Sequence, residues 1–342
     1  MLCGTPMDRA TAAGPSSALP RVPFGACVRS HVLKSDARYG AALAGYCQQI
    51  VPEGSLKWSD VRPARGKFDF SDPDIILAFA RERGLTMRGH TLCWYEANPP
   101  WIKEISSKAE AERELVSHIE TVVAHYKRDI RSWDVVNEPL GDKARTAADL
   151  RPSVWQQFLG ADYLRIAFEA ARRADPDLEL VINEYGIEGT DIQDTHKRAA
   201  YLELIKRMLD RGVPLHAVGM QGHLTGGAAI NRDGVSQFAS DVKALGLRLL
   251  ITELDVTDDK LPAAIPARDE MCARLVRDFL GAVFQGARPA AVLTWGITDS
   301  HTWVPMWFKR KDGLPNRPLP LDADYKPKPM MDVIAEFCRA TP

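Results

Sequence analysis

From residue 24 onward, short runs of apolar and β-branched residues alternate with longer stretches whose apolar positions recur at helical spacing. The run over 24–33 predicts a strand, followed by a helix over 37–47 and a second strand over 48–52 that ends at Glu53. Ser71-Asp72-Pro73-Asp74 reads as a helix start, with Ser71 as cap and acids near the positive end of the dipole. That helix carries Ile75, Ile76 and Phe79 and stops at Gly84; a third strand follows over 85–92. Ser107 and Glu110 have capping-box spacing ahead of a helix with Leu115, Ile119, Val122, Val123 and Tyr126 on one face. The strand around 131–136 delivers Asn137 and Glu138 to its end, where Pro139 cannot donate to a ladder.

The alternation continues to the C-terminus. Helices are expected over 162–174, 196–211, 235–245 and 268–285, the last with Met271, Leu275 and Phe279 aligned, and a closing helix over 328–338. Strands are expected over 179–183, 216–222, 247–256 and 290–296. Strand-end positions fall at Glu53, Leu92, Glu138, Glu184, His223, Glu253 and Trp295, successive ones 30 to 46 residues apart. With the first strand this makes eight βα units of similar size, and eight such units close into a barrel. The first strand is not followed by GxGxxG, which counts against a dinucleotide-binding sheet. The expected fold is therefore α/β: a single (β/α)8 barrel, the TIM-barrel arrangement, over 24–342 behind a flexible tail over 1–23.

Composition narrows the function. The 342 residues are 45% hydrophobic and 26% charged with a net charge of −1, so neither nucleic acid nor an anionic membrane is an expected partner. A monomer is expected. Six scattered cysteines (Cys3, Cys27, Cys47, Cys93, Cys272, Cys338) make no CxxC pair, and the eight histidines make no HExxH. No metal and no cofactor are expected. Residues 1–23 show no basic segment followed by an apolar core, so no signal peptide is read there.

What remains is a pair of carboxylates. The strand ending in Glu138 and the strand carrying Glu253 share one design, and Asp255 lies two residues past Glu253 on the same face. At the C-terminal face of a barrel they come from the fourth and seventh strands, across one mouth. Two such groups can break a glycosidic bond: one protonates the leaving oxygen and the other attacks the sugar carbon or activates water. Asn137 offers an amide to a sugar hydroxyl, His223 can hydrogen-bond Glu253, and Asp255 can orient that imidazole. Trp58, Trp94, Trp101, Trp295 and Trp303 lie in or beside strand-end loops, where indoles can stack on sugar rings, whereas Trp155 and Trp307 are given no role.

These residues resemble the family 10 glycoside hydrolases, mainly endo-β-1,4-xylanases. The resemblance rests on Pro52-Glu53, Lys57-Trp58, Arg88-Gly89-His90-Thr91-Leu92, Trp94, Trp133-Asp134-Val135-Val136-Asn137-Glu138-Pro139 and Gln221-Gly222-His223-Leu224. It extends through Ile251-Thr252-Glu253-Leu254-Asp255-Val256, Leu293-Thr294-Trp295-Gly296-Ile297-Thr298-Asp299 and the closing Asp322-Ala323-Asp324-Tyr325-Lys326-Pro327-Lys328-Pro329. The resemblance implies a retaining endo-β-1,4-xylanase with Glu138 as acid/base and Glu253 as nucleophile. It implies a glycone side built from Glu53, Lys57, His90, Trp94, Asn137, Gln221, His223, Trp295 and Trp303, with xylan or xylo-oligosaccharides as the partner. The family is largely secreted.

Some positions depart from the family pattern. Gly54 stands where Asn is usual, Tyr95-Glu96-Ala97 where His-Ser-Gln is usual, and Glu184 and Gly186 where Asp and Asn are usual. Gly54 and Ala97 remove amides expected at the sugar one step beyond the cleaved unit. Two alternatives stand beside the xylanase: a related barrel acting on aryl β-xylosides, short xylo-oligosaccharides or β-glucan, and a silent barrel that only binds carbohydrate.

Overall fold

A computed structural model describes residues 22–339. Eight parallel strands close into a ring: β1 Phe24–Val28, β2 Gln49–Pro52, β3 Thr86–Cys93, β4 Ile130–Asn137, β5 Glu179–Glu184, β6 Ala217–Met220, β8 Arg248–Thr257 and β9 Val292–Thr294. A short strand, β7 (His223–Thr225), continues beyond β6 and pairs with the far end of β8. Pairing of β6 with β8 and of β9 with β1 completes the closure, so no barrel strand keeps an open edge. The expected (β/α)8 barrel is what the chain forms.

Alternation along each strand divides the core. Cys27, Val51, Val181, Ala217, Leu250 and Leu293 cluster together as one small set. Their strand neighbours Ala26, Ile50, Ile182, Val218, Leu249 and Val292 belong to the much larger cluster shared with the helices. With apolar residues on both faces, the strands read as nearly unbroken hydrophobic runs, as parallel strands do. Val22, at the margin of the expected tail, is buried, and its N–H donates to Cys338 O at 3.1 Å. Cys3 and nearly all of that tail lie outside the described residues. The other five cysteines are free thiols.

Several boundaries differ from the sequence expectation. The first strand ends at Val28 rather than running to residue 33, and a helix covers Ser30–Ser35. Its pairing with β2 ends at Val28 and Pro52, with a last bond from Glu53 N to Val28 O at 3.0 Å, before the chain turns into that helix. Ser71 is inside its helix; the cap position falls on Phe70, whose side chain makes no capping bond, and the Asp69 carboxylate before it accepts from Ser71 N at 3.0 Å. The strand expected over 216–222 breaks at Gln221-Gly222 into β6 and β7. Met271 is 40% exposed, whereas Cys272, Val276 and Phe279 carry the buried face of that helix. Ser107 caps as expected, accepting from Glu110 N at 3.2 Å.

One glycine governs how β3 meets β4. A Cβ on Gly89 would overlap the buried indole of Trp133 directly across the pairing. Gly89→Ala should therefore overpack this face and cost about 1–3 kcal/mol of stability. Thermal or urea unfolding reads the loss, and a variant as stable as the parent would show that the β3–β4 contact is looser than described.

Candidate active site

The C-terminal strand ends surround a cleft of about 1360 Å³. Glu53, Lys57, His90, Trp94, Asn137, Glu138, Gln221, His223, Glu253, Trp295 and Trp303 all line it. Asp255 stands behind, fully buried, with one oxygen on His223 and the other on the indole N–H of Trp303 at 2.7 Å.

The two carboxylates are joined by amides. The β4–β5 register sets Asn137 beside Asn183. Asn183 Nδ2 donates at 2.8 Å both to Asn137 Oδ1 and to Glu253 Oε1. The Glu253 carboxylate, which only accepts, makes that end of the amide the donor, and Thr252 Oγ1 donates to Asn183 Oδ1 at 2.7 Å. Asn137 Nδ2 in turn reaches Glu138 Oε1 at 3.1 Å, so its amide is engaged on the site's own side chains. Gln221 Nε2 donates to the same oxygen at 2.9 Å, and Trp94 Nε1 donates to Glu138 Oε2 at 2.8 Å.

Glu138 itself sits at φ 53°, a left-handed conformation that costs a residue with a Cβ about 1–3 kcal/mol. Three contacts hold this turn: Glu138 N to Asn183 O at 2.8 Å, Arg151 Nε to Glu138 O at 3.3 Å, and Leu140 N to the Glu184 carboxylate at 3.0 Å. Glu184, buried and paired with Lys197 at 2.9 Å, thus supports the loop from behind.

Electrostatics separate the pair. Burial raises the Glu138 pKa, as do the charges of Glu184 and Glu253, against the hydrogen bonds from Gln221 and Trp94; the net direction is up. Burial also acts to raise Glu253, but the hydrogen bond from His223 and the charges of His90 and His223 outweigh it; the net direction is down. His223 lies between Asp255 (Nδ1, 2.8 Å) and Glu253 (Nε2, 3.3 Å). Burial opposes its charge, yet Asp255 and then Glu253 raise its pKa well above the ordinary imidazole value. Asp255 therefore does more than choose a tautomer: it favours an imidazolium that donates to Glu253. His90 is anchored similarly, with Nδ1 2.9 Å from Asp134, which also accepts from Arg88 at 2.8 Å.

Aromatic rings frame the cleft. Lys57 Nζ lies 4.6 Å over the Trp94 ring, and Trp295 meets His90 edge-on at 5.1 Å. Trp58 and Trp101 do not line the cleft and pack in the core instead; the Trp58 N–H donates to Leu92 O at 2.7 Å. Trp307, given no role from sequence, is 76% exposed and lines the cleft. Arg29 was also missed: it lines the cleft and clamps Glu53 with two hydrogen bonds, one of 2.7 Å from Nη2 to Oε1. Reading the first strand through to residue 33 hid Arg29 as a mid-strand residue. Asn183, a lone amide at the end of an apolar strand, carried a signal that the missing chemistry around it left unread.

The unusual positions separate in space. Gly54 lines the cleft, and a Cβ there would meet only Asp60 Oδ2 at 3.6 Å. Ala97 is at φ 50° and is not a lining residue, so its missing amide does not open the cleft as expected. Gly186 takes φ 65°, a region that Gly and Asn both visit, so the backbone path is compatible with the usual Asn. Among the described residues no group of three or more His, Cys, Asp or Glu side chains is arranged to hold a metal ion.

The glycosyl hydrolase family 10 model matches residues 17–337. Endo-1,4-beta-xylanase B of Paenibacillus barcinonensis is 33% identical over 322 residues, covering 89% of this chain and 92% of that protein. Endo-1,4-beta-xylanase 1 of Humicola insolens is 33% identical over 291 residues, or 83% of this chain, which spans only 65% of that relative's length. Among solved structures, xylanase 10B of Thermotoga maritima superposes with a TM-score of 0.84 at 30% identity, covering 93% of this chain and 95% of that one. Xylanase 10B of Thermotoga petrophila, solved with xylobiose, gives 0.83 at 29% identity, covering 93% and 94%. Barrel, cleft and sequence agree, and the chain belongs to glycosyl hydrolase family 10.

Proposed function

We propose that this chain is a retaining endo-β-1,4-xylanase that cleaves internal β-1,4-xylosidic bonds by double displacement. The observation that carries this reading is that Glu138 and Glu253 line one cleft in unlike surroundings: Gln221 and Trp94 donate to Glu138, whose burial beside Glu184 pushes it up, while His223 and Asn183 donate to Glu253, which is held down. Relatives named endo-1,4-beta-xylanase, and a neighbour solved with xylobiose, supply the substrate class.

In the first step Glu253 attacks the anomeric carbon while Glu138 gives its proton to the departing glycosidic oxygen. The bond to the leaving sugar breaks as the ester to Glu253 forms. Glu138, now a carboxylate, takes a proton from water, which displaces Glu253 and restores the β configuration. His223 keeps Glu253 ionised before attack and stabilises it as it departs. Glu53, Lys57, His90, Trp94 and Trp295 offer donors, an acceptor and ring faces to the glycone sugars.

Glu253→Ala should abolish turnover on xylo-oligosaccharides, and the β-anomer should appear first when hydrolysis by the unaltered protein is followed by NMR. Initial release of the α-anomer overturns double displacement.

His223→Ala removes the hydrogen bond and one of the two positive charges that hold Glu253 down, leaving His90 to oppose burial, so the Glu253 pKa should rise. Because turnover needs Glu253 ionised, the acidic limb of the kcat/KM profile should move to higher pH, while the alkaline limb, set by loss of the Glu138 proton, moves less. Turnover at the optimum should fall about 10- to 100-fold, the worth of a charged hydrogen bond. An acidic limb that stays in place removes His223 from this role.

Gly54→Asn restores an amide where there is room for one. Activity on unsubstituted xylo-oligosaccharides should rise about 2- to 10-fold, as one neutral hydrogen bond is gained. A fall on every substrate, with stability intact, would mean that the subsite is built for another sugar.

A further inference from the structure

The segment after β9 holds exposed apolar side chains that the reaction does not use. Met306 and Trp307 are each 76% exposed, and Phe308 is 38% exposed. An indole left in water forgoes the large burial that aromatic residues usually gain. The segment is nonetheless tied down at several points. Arg310 donates to the carbonyls of Asp258 and Leu261 (3.0 Å for the latter) and pairs with Asp312 at 2.5 Å. Asn316 Nδ2 donates to Asp258 Oδ1 at 2.7 Å. Trp303 is anchored on Asp255, and Phe308 packs edge-on against it at 5.8 Å.

This anchored platform is continuous with the catalytic cleft. Contacts run from Glu253 to His223, from His223 to the Trp303 ring at 5.1 Å, and from Trp303 to Phe308. Met306, Trp307, Phe308 and Lys260 line the same cleft as the two carboxylates. Charge adds a second feature. Lys260, Lys309 and Lys311 are exposed and, among the described residues, have no ion-pair partner, whereas Arg310 between them is spent on the loop itself.

We propose that Trp307 is a distal sugar-stacking subsite that extends the cleft, and that the neighbouring lysines favour a chain bearing a carboxylate side group, such as a uronosyl-substituted xylan. The flat indole suits the apolar face of a pyranose ring. Trp307 and Lys260 line the same cleft as Glu138 and Glu253, so a polymer bound along that cleft can meet both, and the exposed Lys309 and Lys311 on the Trp307 loop add positive charge that complements an acidic substituent. The proposal rests on the xylanase reading above and adds a specificity-determining residue to it.

The test compares kcat/KM on an aryl β-xylobioside, a linear xylohexaose and a xylohexaose bearing one glucuronic acid side group. Trp307→Ala should leave the short substrate within about twofold and lower both hexaoses about tenfold, or about 1.4 kcal/mol. Replacing Lys260, Lys309 and Lys311 with Gln should lower only the acidic hexaose, by an amount that shrinks as salt screens the charges. Unchanged hexaose activity in Trp307→Ala, or an equal loss on all three substrates, overturns the platform. An acidic advantage that survives the triple replacement overturns the assignment of the lysines. A parent chain that sediments as a dimer, with a monomeric Trp307→Ala, overturns the proposal in favour of self-association. Absence of activity in the parent on all three substrates instead refutes the xylanase reading.

Discussion

Glu138 and Glu253 are both buried at one cleft and are pushed in opposite directions, Glu138 up and Glu253 down. The Asn183 amide is the interaction that ties the two together. It touches Glu253 directly and Glu138 through Asn137, and Thr252 donates to its oxygen. Its position follows from barrel closure, because β4, β5 and β8 supply Asn137, Asn183 and Glu253 respectively. In a site largely shielded from water, fixed amide dipoles act more strongly than they would in solvent, and they need no reorientation when charge develops.

A second, deeper network supports the first. Asp134 is fully buried, with Arg88 and His90 both bonded to it. Burial alone would raise its carboxyl, but the charge of Arg88 and the His90 contact bring it below the usual range. The cost of burying this ion pair is repaid by geometry: His90 is held rigidly at the cleft, where it meets Trp295. Removing one partner would strand a charge in the barrel.

The positions that depart from the family pattern divide by location. Glu184 acts behind the site, bracing the Glu138 turn and adding negative charge that raises Glu138. Gly54 acts at the cleft wall, where it leaves space. Ala97 acts on neither, and its carbonyl accepts Ser59 N at 2.8 Å. Arg29, beside these positions in the cleft wall, holds Glu53 as half of an ion pair.

Much of this was readable from local pattern. Alternating strand and helix periods, their spacing, and polar residues at strand ends are set by neighbours close in sequence, so the chain alone determined the eightfold barrel, Glu138 and Glu253. The same holds for the Ser107 cap and most helix boundaries. What the chain could not settle depends on contacts between segments far apart. Whether a tryptophan is core or platform depends on what packs against it: Trp58 is covered, while Trp307 stands free on a loop pinned by Arg310. Where the first strand ends shows only in its pairing with β2, whose last bond is Glu53 N to Val28 O, and with that boundary came the role of Arg29. The acidities of Glu138 and Glu253 likewise belong to the tertiary structure, because burial and charges brought from other strands push two chemically identical side chains in opposite directions.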